Sequence, residues 1–185
     1  ILLRFSANIS MLFKEFDLLA RFEAARSCGF EAVEIQFPYD ISIRDLLTAK
    51  ENTGLEISVF NIGVGDLITG GPGIAAVPGR EDLFKVATQQ ALSYAEILKP
   101  ISINVLPGWP PMGQFERGQC LDILANNLRY AAEILAHTGA RVLVEACNTS
   151  DRPGFLVHNS EQAIDLIKRV DNKNVGLQYD LYHMQ

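Results

Sequence analysis

The chain has 185 residues, 48% of them hydrophobic and 21% charged, which supplies one packed domain and excludes wholesale disorder. With 16 Lys+Arg against 22 Asp+Glu the net charge is −6, which argues against a phosphate backbone as the main partner. No apolar run approaches the roughly 20 residues that span a bilayer, so neither nucleic acid nor membrane is expected to bind.

Residues 1–4 lead straight into a strand-like segment, with no signal peptide. Residues 2–8 read as the first strand. A helix follows over 17–28, with Leu18, Leu19, Phe22, Ala25 and Cys28 near a 3.6-residue period and Gly29 as its stop. Residues 32–37 form the second strand, closed by Pro38. Ser42 caps a helix reaching Thr53, and Gly54 stops it. The third strand spans 56–62 and is followed by a Gly/Pro-rich loop, 63–79. A helix over 80–99 leads to strand four, 101–106, and to the rigid loop Pro107-Gly108-Trp109-Pro110-Pro111. A long helix, 116–137, ends at Gly139. Strand five, 141–148, precedes a helix over 161–170 capped by Ser160, and residues 174–183 open strand six. Cys28, Cys120 and Cys147 are odd in number, far apart and without a CxxC, so they read as reduced thiols in a cytoplasmic protein.

Alternating strands and helices imply a parallel sheet with right-handed crossovers. An open doubly wound sheet would bury both faces of its central strands. Here most strands have one polar parity: Arg4, Ser6 and Asn8; Glu34 and Gln36; Ser102 and Asn104; Gln178 and Asp180. Strands three and five fit less cleanly. One apolar face and one gathered polar face favour a (β/α)8 TIM barrel. No G-x-G-x-x-G follows the first strand and no P-loop is present. A complete barrel takes roughly 250 residues, so a single domain over residues 1–185, truncated after about six strands, is expected.

A parallel barrel carries its site at the C-terminal ends of its strands. Asn8, Glu34, Gln36, Asn61, Asn104, Glu145, Asn148, Asp180 and His183 stand there. Glu145 and Asp180 are the sharpest pair. Two strand-end carboxylates suit a divalent ion such as Mg²⁺ or Mn²⁺, and loop amides or an arginine are the alternative partners. His183 is open as ligand, substrate donor or surface residue. Cys147 has no local base and reads as a packed thiol. Trp109 fits a loop anchor as well as a stacking surface. Arg80 and Arg152 are the arginines that could clamp a carboxylate.

The segments Arg4-Phe5-Ser6-Ala7-Asn8-Ile9-Ser10-Met11-Leu12-Phe13, Gly73-Ile74-Ala75-Ala76-Val77-Pro78-Gly79-Arg80-Glu81 and Gln178-Tyr179-Asp180-Leu181-Tyr182-His183-Met184-Gln185 resemble the hydroxypyruvate isomerase family of xylose-isomerase-like barrels. Val144-Glu145 with Asn148, and Pro153-Gly154-Phe155, match it too. The resemblance implies a metal-assisted aldose–ketose isomerase acting on hydroxypyruvate, tartronate semialdehyde or a 2-oxo-tetronate. It makes Glu145 the catalytic proton exchanger and a metal ligand, Asp180 a second ligand, and His183, Asn148 and Arg80 substrate-binding residues. It also implies further ligands on strands seven and eight, so that this stretch alone is expected to be inactive. Cys147 departs from the aliphatic residue common in the family. A keto-sugar 3-epimerase of the same superfamily and a non-catalytic fragment are the competing readings, and homo-oligomerisation stays open. A DNA-repair endonuclease fits less well, because it would want a basic groove and more than three histidines.

Overall fold

The computed structural model describes residues 3–185; the first two residues of the expected first strand lie outside them. Six strands, β1 (Ser6–Asn8), β2 (Ala32–Ile35), β3 (Glu56–Asn61), β4 (Ser102–Val105), β5 (Arg141–Glu145) and β6 (Val175–Gln178), form one parallel sheet in sequence order. Five helices alternate with them: α1 (Ala20–Ser27), α2 (Ile43–Thr53), α3 (Glu81–Leu98), α4 (Arg117–Leu135) and α5 (Ser160–Val170). Parallel neighbours in strict chain order, each joined to the next through a helix, are five consecutive βα units of the expected barrel and the strand of a sixth. No helix among the described residues is long and apolar enough to cross a membrane.

Local chemistry sets the boundaries. Ser42 Oγ accepts from the Asp45 amide at 3.1 Å and so caps α2, which ends where Gly54 turns left-handed at φ 68°. The cap of α5 is Asn159, one residue before the expected Ser160: its Oδ1 accepts from Gln162 N at 2.9 Å. The first helix starts at Ala20 rather than at 17; its N-cap Leu19 makes no side-chain cap, and Arg21 N reaches back to Asp17 O at 3.2 Å.

The apolar parity packs as expected. Val33 and Ile35, Ile103 and Val105, and Val142 and Val144 join one core with Phe22, Leu46, Phe84, Leu98, Leu128 and Leu166 from the helices. In β1 the pattern holds only at Ala7, since Leu3 and Phe5 are exposed. They precede the three residues by which β1 pairs with β2. The irregular reading of strand three has a physical cause. Val33 pairs with Ile57 but Glu34 pairs with Val59, so Ser58 is an extra residue in a bulge. The bulge resets the alternation: Ile57 and Phe60, three apart, are both buried in the core, and Asn61 takes the polar parity. All three cysteines are free, Cys120 and Cys147 buried and Cys28 exposed.

Candidate active site

The polar parities of β2, β4, β5 and β6 converge at the C-terminal end of the sheet. Glu145 ends β5, beside Gln178 of β6 in register, and is only 8% exposed. Asn104, fully buried on β4, donates from Nδ2 to Glu145 Oε2 at 2.9 Å and to Asn61 Oδ1 at 3.0 Å. Asn8 Nδ2 holds Glu34 Oε1 at 2.9 Å. Burial, and then the charge of Asp180, push the Glu145 carboxyl up to about 7, against the pull of the Asn104 hydrogen bond. Glu34 is raised for the same two reasons in the same order.

After β6 the chain turns through Asp180, whose Oδ1 accepts from Tyr182 N at 2.8 Å. This brings His183 Nε2 to 3.8 Å from Asp180 Oδ2. The backbone N–H and the Nδ2 of Asn148 both point at His183 Nδ1, at 3.3 and 2.8 Å. A backbone N–H can only donate, so Nδ1 accepts and the neutral ring carries its proton on Nε2. Asn148 Oδ1 in turn accepts from Asp151 N at 2.8 Å. Asn148, expected to bind substrate, is therefore occupied in orienting His183.

Donor atoms of Glu145, Cys147 and His183 lie within 4.8 Å of one another, a group without Asp180. Of these, His183 is committed through Nδ1 to Asn148 and Cys147 is a packed thiol, so the carboxylates of Glu145 and Asp180 are the groups suited to a divalent cation. Among the described residues two buried acceptor oxygens, Asn104 Oδ1 and Gln178 Oε1, have no donor. Cys147 is pushed up to about 12 by burial and by Glu145, which leaves it a poor nucleophile and agrees with a packed thiol.

Arg80 is placed otherwise than its expected role requires. Its Nη1 lies 2.9 Å from both carboxylate oxygens of Asp66 and 3.1 Å from the Gly73 carbonyl. It clamps the loop over 63–79 on itself. Trp109 anchors neighbouring loops: its amide donates to Pro72 O at 3.0 Å, and its ring meets Phe155 edge-on at 5.4 Å. Tyr39, also at a strand end, donates its hydroxyl to Asn61 O at 2.6 Å and packs on Phe60 and Tyr94. Asn104 and Glu34 stood among the strand-end polar residues. Their grip on the site was not legible, because it depends on how the curved sheet turns them inward.

The family described as xylose isomerase-like TIM barrel matches residues 22–185. The hydroxypyruvate isomerase of Escherichia coli (strain K12) is 45% identical over 184 residues, which cover 100% of this chain and 71% of that protein. The 2-oxo-tetronate isomerase of Cupriavidus necator is 37% identical over 182 residues, 98% of this chain and 70% of that one. A crystal structure described as an AP endonuclease, family 2, from Brucella melitensis superposes with a TM-score of 0.94 at 38% identity, covering 100% of this chain and 70% of its own.

Proposed function

This chain belongs to the hydroxypyruvate isomerase family of xylose-isomerase-like TIM barrels, and on that premise we propose that it serves an isomerase of small hydroxy-oxo acids. The reaction moves one proton from the hydroxyl-bearing carbon to the neighbouring carbonyl carbon and a second from the hydroxyl oxygen to the former carbonyl oxygen, through an enediolate. The observation that carries the reading is Glu145, a buried carboxyl at the end of β5 whose position is fixed by the fully buried Asn104. A carboxylate held in one place beside the substrate can take a proton from carbon and return it. Asn104 fixes its Oε2, which restricts how the carboxylate turns toward substrate. His183 offers its Nε2–H to a substrate oxygen and supports the negative charge that gathers there.

Glu145 and Asp180 would hold a divalent ion such as Mg²⁺ or Mn²⁺. When bound, such an ion polarises the substrate carbonyl and offsets the developing charge.

The test is Glu145→Gln made in the complete barrel, assayed for interconversion of hydroxypyruvate and tartronate semialdehyde and for a 2-oxo-tetronate. Loss of a general base costs ~10²–10⁴ in rate, with the circular dichroism of the fold unchanged. Activity within ~10-fold of the parent would overturn the assignment.

A further inference from the structure

We propose that Arg152 binds the carboxylate of the substrate, with its guanidinium carried over the face of Trp109. This deepens the isomerase reading and rests on it. Glu34, Glu145 and Asp180 stand toward the C-terminal end of the sheet and offer no donor to the acid end of a substrate, whereas a guanidinium offers two. Arg80 is spent on Asp66.

Arg152 is not spent in this way. Arg152 is exposed, its guanidinium carbon stands 5.3 Å from the centroid of the Trp109 ring, and among the described residues its guanidinium forms no ion pair, although its charge is felt by the neighbouring Asp151 carboxylate. It lies one turn beyond Asn148, whose Nδ2 stands 2.8 Å from His183 Nδ1, so the loop that carries it borders the site. A guanidinium over an aromatic face keeps its in-plane N–H donors free, and those donors match a carboxylate in a two-point fork.

The support beneath it is fixed. Arg152 N donates to Asn148 O at 3.2 Å, and Phe155 N donates to Arg152 O at 3.1 Å. Leu156 N reaches Gly108 O at 3.0 Å, next to Trp109. At Gly154, with φ 79°, an added Cβ would come to 4.0 Å from Trp109 Cδ1, so the turn lies directly against the indole.

Trp109 is the single tryptophan of these 185 residues, and the difference between the parent and Trp109→Phe isolates its fluorescence in the complete barrel. The probe is glycerate, which carries the carboxylate but no carbonyl, with glycerol as the uncharged control. Glycerate should change the Trp109 emission and glycerol should not. Arg152→Met keeps the length of the side chain and removes the fork. It should weaken glycerate binding ~10–100-fold, as expected for losing a charged hydrogen-bonded pair. Arg152→Lys should recover part of the loss. With hydroxypyruvate, Arg152→Met should raise KM while kcat stays within ~3-fold. If glycerate binding and KM are unchanged in a parent that turns hydroxypyruvate over, the role of Arg152 falls and the isomerase reading stands. All of these measurements use the complete barrel; if Arg152→Met loses glycerate there but the complete parent acts on no hydroxy-oxo acid, the isomerase reading falls and the carboxylate site stands.

Discussion

Asn104 Nδ2 donates to Glu145 Oε2 at 2.9 Å, linking a fully buried amide on β4 to the carboxyl that ends β5. The same nitrogen reaches Asn61 Oδ1 on β3, so one amide ties three strands at the level of the site. Asn104→Leu removes both hydrogen bonds at similar volume. The bond favours the charged carboxylate, so its loss should move the apparent pKa of Glu145 above about 7. Isotope-edited infrared spectroscopy of the carboxyl would read the shift. Stability should also fall by ~1–3 kcal/mol, because two buried acceptors lose their donor. An unchanged pKa would mean that Asn104 is packing alone.

The second expectation concerns pH in the metal-free protein. Burial and Asp180 raise the Glu145 carboxyl from 4.5 in a free side chain to about 7 in the fold. Between those values the native state holds a proton that the unfolded chain has released. This contribution is fully present below pH 4.5 and is lost as the pH rises through about 7. Its size is on the order of 3 kcal/mol. Urea melts in chelator should therefore show a decline from pH 5 to pH 8 that is flatter in Glu145→Gln. Equal slopes for the two proteins would place Glu145 near its ordinary value.

Much of this architecture can be read from the residues. Ser42 and Gly54 mark both ends of α2, and the polar parity of β2, β4 and β6 marks the inner face. The bulge at Ser58 cannot be read so, because a period of two says nothing about an inserted residue. The convergence of Glu145, Asp180 and His183 was legible from their strand-end positions together with the family resemblance. The position of Arg80 was not: its partner Asp66 lies 14 residues earlier in an irregular loop, and no local pattern announces the pair. Asn148 shows a similar limit. Its spacing from Glu145 is visible, but its bond to His183 crosses 35 residues.

The Asp66–Arg80 clamp yields a third expectation. Arg80 holds the Asp66 carboxyl below the usual carboxylate range, with help from the Gly73 amide at 3.0 Å. Both side chains are over a third exposed or close to it, 33% for Arg80 and 41% for Asp66, so solvent screens the pair. Arg80→Met should cost no more than ~1 kcal/mol of global stability. Its effect should be local: faster proteolysis within residues 63–79, with KM for hydroxypyruvate within ~3-fold of the parent. A large rise in KM would return Arg80 to the substrate. Gly71→Ala probes the same clamp from the other side. The added Cβ would sit 2.2 Å from Asp66 Cγ, so the carboxylate must swing away from Arg80.

The last expectation is the tautomer of His183. The Asn148 amide donates to Nδ1 at 3.3 Å and the side-chain Nδ2 does so at 2.8 Å, which leaves the proton on Nε2, beside Asp180. Nitrogen-15 shifts of the ring should show Nδ1 unprotonated and Nε2 protonated in the neutral protein. Asn148→Asp reverses the preference, because a carboxylate beside Nδ1 attracts a proton there. In that variant Nε2 no longer presents a hydrogen to the substrate oxygen unless the ring becomes cationic. The rate should then fall by ~10²–10³, the cost of one lost donor to a developing oxyanion, while Glu145 remains in place. A variant with the reversed tautomer and full activity would show that His183 acts in some way other than as an Nε2–H donor.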